Sequence, residues 1–400
     1  MWQVIKETTQ YMWRSEKNRL FMLITTALVI IYSFFVLPHI SGEKEVDIEM
    51  LEREMNGNVV QFEEALNEGL IVPSALTGTT AYSNQRNEYV QQRELLTALK
   101  QGDVKRYISI PYRPDTQKEV ENNNLEQLVF GVFGYETEQP YQQAKNKVYI
   151  DEIEDLSFHT VHERTSAQQI HLFLIGLGPI LLLLGLVFLA SDIHVKDRSL
   201  KTQKIGHPLS WQKYLWIQAL TALGFVTVFY IGLLLVFILL NGFLHGFGSL
   251  ALPIGYYDPN FELGVFSAEN FQIQTIGWFI LRALPFLALL SYLFIRLNTL
   301  FSLWTRQAIV TMVLGVFMIL FQFIYYDSEA TELLDQEIHY FPQTYLAFGK
   351  IITGRFEQEM MESMPQIFKQ GLLILLGTIL VIEILIYLTS KKITRQVFVS

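Results

Sequence analysis

Residues 170–213 read IHLFLIGLGPILLLLGLVFLA (170–190) and then SDIHVKDRSLKTQKIGHPLSWQK (191–213). The first part has no Asp, Glu, Lys or Arg. It matches the roughly 20 apolar residues, rising 1.5 Å each, that carry a helix across a bilayer. The second part holds five Lys/Arg. Outward from this pair, further apolar runs lie at 20–39, 214–241, 273–295, 307–326 and 370–390. Six spans are therefore predicted, and they cut the chain into seven polar pieces. The odd pieces (1–19, 191–213, 296–306, 391–400) hold 14 Lys/Arg against four acids, a charge of +10. The even pieces (40–168, 242–272, 327–369) hold 15 against 34, a charge of −19. Lys/Arg-rich loops near span ends stay in the cytoplasm. The predicted fold class is an α-helical polytopic membrane protein with six transmembrane helices, both termini cytoplasmic, in the plasma membrane.

The run at 20–39 follows Arg14, Lys17 and Arg19, as a signal peptide would. Its apolar stretch LFMLITTALVIIYSFFVL is too long for a signal core, and LPHISGE lacks a small-x-small cleavage pattern, so it reads as an uncleaved span. The absence of cysteine excludes disulfides, thiolate metal sites and cysteine nucleophiles. The acidic even pieces argue against a nucleic-acid partner. The basic odd pieces need only membrane lipids and a partner protein.

Within 1–19, Trp2, Ile5, Thr9 and Met12 recur at helical spacing with Trp13 beside them, which suits a helix in the headgroup plane; the plainer reading is a frayed tail. Segment 40–168 has the size of a soluble domain. In it, EVDIEMLEREMNGNVVQFEEALNEG and NEYVQQRELLTALKQGD show helical periodicity, KRYISIPYRP reads as a short strand or extended piece, and LEQLVFGVFGYE fits helix or strand. A mainly helical extracellular domain is expected there, with an extracellular loop at 242–272. In 327–369, Tyr345, Phe348, Ile352 and Phe356 follow Pro342 at helical steps. They predict either a short amphipathic helix against the outer leaflet or a structured turn packed on the extracellular domain.

Two ionisable residues fall inside spans. Arg282 in GWFILRALPFL lies about 10 Å into the fourth span by helical rise. Glu383 in LLGTILVIEILIYL lies nearer the basic end of the sixth. A mid-membrane charge costs at least about 2.5–3.5 kcal/mol, so each should face protein or water. They read as a substrate path or an Arg–Glu clamp; a snorkelling Arg282 and a satisfied structural Glu383 are the plainer readings. Pro285 predicts a kink one turn beyond Arg282. FHTVHER (158–164) gathers His159, His162 and Glu163, but no second ligand cluster and no His-Glu-x-x-His supports a metal site. His171 and His194 are expected at the interfaces. No Gly-x-Ser-x-Gly occurs, so nucleophilic catalysis has no support.

The piece between the second and third spans is long enough for a short helix ending near Gly206 and Pro208, with Ser210 a reasonable N-cap for the next span. On charge alone it is equally an ordinary basic loop. Here Asp197-Arg198 and Lys201-Thr202 precede Pro208 and Ser210. Together with the N-terminal interfacial helix, the large insertion after span one, and Pro342-x-x-Tyr345 followed by Ile352-Thr353-Gly354, this layout resembles the ABC-2 type permease family. That family's acid-Arg-x-x-Gly-Thr stretch is matched here with Lys201 at the glycine position and Trp211 where a basic residue is common. The layout covers all six spans, the motifs about a tenth of the chain.

The resemblance implies a permease subunit of an ATP-driven exporter, moving an amphipathic substrate such as a peptide, drug or lipid-like molecule. It implies that His194, Lys196, Asp197, Arg198, Lys201, Thr202 and Lys204 belong to a coupling segment that docks on a cytoplasmic ABC ATPase subunit. It also implies a second permease copy or related permease. ATP and Mg would be used by that partner, since no Gly-x-x-x-x-Gly-Lys-Ser/Thr run occurs in this sequence. The chain itself is not expected to be an enzyme or to hold a cofactor. The alternative is a non-transporting membrane sensor or scaffold whose extracellular domain binds an external ligand; its internal polar pieces, about two dozen residues at most, are short for an output domain.

Overall fold

The structure, a computed structural model, describes residues 1–39, 48–67, 80–110, 135–200, 208–258, 269, 271–325, 332–333, 336–360, 364 and 366–399. Among the described residues, five helices are long and apolar enough to cross a membrane: Glu16–Val36, Gly178–Arg198, Trp211–His245, Ile276–Thr305 and Ile367–Lys392. The chain is an α-helical multi-pass membrane protein.

Helices α1 (Trp2–Arg14) and α2 (Glu16–Ile31) meet at Ser15, whose ψ of 123° leaves the helical range. Buried Asn18 donates to Met12 O at 3.2 Å and fixes this corner. The inward face of α1 is Val4, Thr8 and Met12, an i, i+4, i+8 row, while Trp2 and Trp13 stay exposed. The expected apolar face of Trp2, Ile5, Thr9 and Met12 is thus corrected: one row packs on protein and the tryptophans are left for the headgroups.

Every regular element described in the 40–168 insertion is a helix. Helices α3 (Ile48–Asn67) and α4 (Ala81–Gln101) pack together, burying Leu51, Leu95 and Ala98. The expected strand at 105–114 is instead α5 (Val104–Ser109) as far as it is described. Gly102 in the left-handed region closes α4, and the Asp103 side chain accepts from Arg106 N at 3.1 Å, so a C-cap and an N-cap restart a helix within two residues. Most of LEQLVFGVFGYE lies outside the described residues; its end opens α6 (Tyr135–Glu152).

The second predicted span is split into α7 (Ser166–Ile175) and α8 (Gly178–Ala190). Pro179 has no N–H to donate and its ring would crowd the carbonyl of Ile175, which breaks the ladder at Gly176–Leu177. Helix α8 is the central post of the bundle, packed against α2, α9 (Trp211–His245), α10 (Ile276–Thr305) and α11 (Ala308–Leu320). An antiparallel pair, β1 (Pro253–Tyr257) and β2 (Phe271–Thr275), leads into α10, with Pro253 opposite Thr275 and Tyr257 opposite Phe271. The Thr275 hydroxyl accepts from Trp278 N at 3.2 Å and starts that helix.

Two predicted boundaries move. The loop expected at 296–306 is the continuation of α10, capped by Arg306 in the left-handed conformation. Of 307–326, expected as a span, the described residues form the 13-residue α11, about 20 Å long, followed by Gln322–Tyr325. At the far end, α12 (Phe348–Ile352) and α13 (Arg355–Met360) precede α14 (Ile367–Lys392) and α15 (Arg395–Val399). Tyr345, Phe348, Ile352 and Phe356 are all buried, with Phe348 stacked on Phe286 of α10 at 5.7 Å. Neither reading offered for this segment holds as stated: it forms short helical turns, and they pack on the bundle rather than on an outer leaflet or the extracellular domain.

Candidate functional site

All four basic pieces meet at one end of the bundle. Asp192, just beyond α8, accepts from the Tyr11 hydroxyl at 2.9 Å and pairs with Lys17 at 3.0 Å. Lys17 also donates to Phe188 O and Ser191 Oγ. Burial, with the Asp192 carboxylate beside it, pushes the Tyr11 hydroxyl above its ordinary pKa. From the other side, Arg198 donates to Arg306 O at 3.1 Å, Arg395 to Leu209 O at 2.9 Å, and the Trp211 indole to Ile393 O at 3.1 Å.

Val195–Leu200 is a short 3₁₀ helix at the centre of this end. His194 is buried, its Nδ1 against Gln218 Oε1 at 2.9 Å and its Nε2 against Thr299 Oγ1 at 3.0 Å. Asp197, 1 % exposed, accepts from the Tyr214 hydroxyl at 2.8 Å and Gln218 Nε2 at 3.0 Å. The Lys196 ammonium stands 4.2 Å over the Tyr11 ring. His194 and Asp197 therefore hold the segment between α9 and α10 rather than offering themselves to a partner in this conformation. Lys201, Thr202 and Lys204 lie outside the described residues.

Arg282 and Glu383 do not pair. Arg282 stacks over Trp278 at 4.2 Å and Phe368 at 5.0 Å. Glu383 is held by Arg296 through two bonds, Nε to Oε1 at 2.5 Å and Nη2 to Oε2 at 2.7 Å, and it also accepts from the Tyr292 hydroxyl at 2.8 Å. Arg296 lies about 21 Å along α10 from Arg282. The clamp foreseen between helices exists, with a different arginine. That arginine was missed because its charge was taken to end the span. Yet Leu297, Leu300, Phe301 and Trp304 continue at three- and four-residue steps, which is a helical signal.

At the opposite end a second polar cluster joins the insertion to the bundle. Buried Lys145 and half-buried Glu163 are paired at 2.6 Å, with the ammonium 5.2 Å and 5.9 Å from the Tyr141 and Tyr149 rings. Burial by itself would raise the Glu163 carboxyl, but the Lys145 ammonium outweighs it and holds the pKa below the ordinary value. Glu163 has φ of 56°, a left-handed conformation unusual outside glycine, and its carbonyl accepts from Gln169 at 2.7 Å. Within FHTVHER, His162 stacks on Phe158 and Glu163 is taken by Lys145, so these side chains do not converge. His171 and His194, expected at the interfaces, are both buried; His171 meets Phe279 edge-on at 4.6 Å.

No family model, curated protein or solved structure matches the chain.

Proposed function

We propose that this chain is the permease subunit of an ATP-driven exporter in the plasma membrane. It has six spans, the fifth formed by α11 with Gln322–Tyr325, and the basic end faces the cytoplasm. The observation that carries the reading is the convergence of the other three basic pieces on 191–213, with residues 192–198 held by two of them. That segment is clasped by α1, α2, α9 and α10, so a displacement imposed on it reaches four elements through short polar contacts. A separate ABC ATPase, using ATP and Mg, would push on this lever, and a second permease copy or related permease would complete a path for an amphipathic cargo. The chain's own part is mechanical: buried Asp197 and His194 transmit, and the basic stretch through Lys201 and Lys204 meets the partner.

The test is affinity capture of the full chain in lipid nanodiscs, followed by an ATPase assay on the soluble protein that accompanies it. Lys201→Glu with Lys204→Glu should reduce association at least tenfold without lowering thermal stability. Asp197→Asn should keep association and lower substrate-stimulated ATP hydrolysis. Capture of no ATPase across detergents and nanodiscs would sink the exporter and favour a sensor or scaffold.

A further inference from the structure

An open groove of about 550 Å³ runs along α2 where it passes α9 and α1, bordered by Trp13, Arg19, Met22, Ala27, Ile30 and Phe229. Its size falls in the roughly 300–1,000 Å³ range of small-molecule sites. The walls are apolar in effect: the Thr25 and Thr26 hydroxyls are turned onto the carbonyls of their own helix, at 2.8 Å and 2.7 Å, and offer nothing to the groove.

Polarity is confined to one end. Arg19 is exposed, and among the described residues its guanidinium has neither a hydrogen bond nor an ion pair, not even with Glu16 one turn before it. Its neighbour Lys17, in contrast, is consumed by Asp192, Ser191 and Phe188 O. Exposed Arg14 adds a second positive charge nearby, and exposed Trp13 belongs at headgroup depth. From Arg19 to Ile30 is eleven residues, or about 16 Å of helix, close to half of a hydrocarbon core about 30 Å thick. The groove therefore extends through one leaflet, with a cation at the water side and apolar walls to the midplane.

We propose that this groove holds one anionic phospholipid from the leaflet on the N-terminal side. Its phosphate sits on the Arg19 fork, and an acyl chain lies between α2 and Phe229. A planar guanidinium binds phosphate oxygens in pairs, and a net negative headgroup matches the surplus charge of Arg14 and Arg19 better than a zwitterionic one. The proposal rests on the membrane-spanning character of the chain and is independent of the exporter reading.

The experiment is native mass spectrometry of the full chain in detergent, titrated with phosphatidylglycerol or phosphatidylcholine of equal chain length. The unaltered chain should retain one phosphatidylglycerol at least fivefold more tightly than phosphatidylcholine. Arg19→Gln should abolish that preference, Arg19→Lys should keep part of it, and Ala27→Trp, which fills the groove, should weaken both lipids. Equal retention of the two lipids by the unaltered chain overturns the proposal and needs no variant. So does phosphatidylglycerol retention unchanged in Arg19→Gln. A lipid-free dimer that Ala27→Trp dissociates would also overturn it and assign the groove to a second copy.

Discussion

Lys145–Glu163 and Arg296–Glu383 are both short ion pairs, at 2.6 Å and 2.5 Å, set in opposite halves of the molecule. Both side chains of the first are closed in by protein, at 2 % and 14 % exposure. In the second, Arg296 is 4 % exposed but Glu383 is 34 % exposed. The first pair ties the insertion to the bundle with both of its charges enclosed. The second leaves its carboxylate a third exposed, so a lost partner is in part replaced. The surroundings, rather than the bond lengths, set what each pair does.

Lys145→Met should have the largest effect, about 4 kcal/mol, because it leaves the Glu163 carboxylate, only 14 % exposed, without its partner. Arg296→Met should cost about 3 kcal/mol, reduced from the fully buried case because Glu383 is a third exposed. Chemical denaturation in micelles would measure both. Adding Glu163→Met or Glu383→Met should recover most of each loss, and a double variant no better than its parent would break the comparison. Gly349→Ala should cost about 2 kcal/mol. The added Cβ would stand 2.5 Å from Ile175 Cα and Leu174 O, backbone that cannot swing aside.

The protons of the insertion end give a sharper contrast. Glu163 is held low, so its contribution is full above the ordinary carboxylate range and is lost as pH falls through its native value. Glu357 is the reverse: burial first, with Asp258 adding to it against a bond from the Met364 backbone, raises its pKa to about 7. The fold should therefore weaken as pH rises from about 4.5 to about 7, by roughly 1–2 kcal/mol once water access is allowed for. Glu357→Gln should flatten that slope in thermal melts recorded across this window; an unchanged slope would show that another group is responsible. Tyr11→Phe at the basic end should have the smallest effect, about 1 kcal/mol, since Asp192 keeps Lys17.

Much of the bundle was legible because apolar length and charge are local quantities. The runs at 214–241 and 370–390 each lie within a long helix and most of 20–39 falls in Glu16–Val36, whereas the break in the second span at Pro179 was not foreseen. The site was less legible. His194 and Asp197 sit in a polar loop by sequence, and only the approach of Tyr214, Gln218 and Thr299 buries them. Glu383 announced a partner without identifying it, and Arg296 was hidden by the rule that a charge ends a span.

By itself the sequence determined that this chain crosses a membrane repeatedly, with basic and acidic pieces in alternation, because hydropathy and charge are summed along the chain. Which arginine meets Glu383, which lysine meets Glu163, and which face of the 342–356 segment is hidden were decided only by tertiary structure. Those choices depend on helix rotation and on residues brought together from far along the chain, as Arg296 and Glu383 are across 87 positions. No local pattern encodes that distance, since a helix presents a charge to whichever neighbour the packing of its apolar faces supplies.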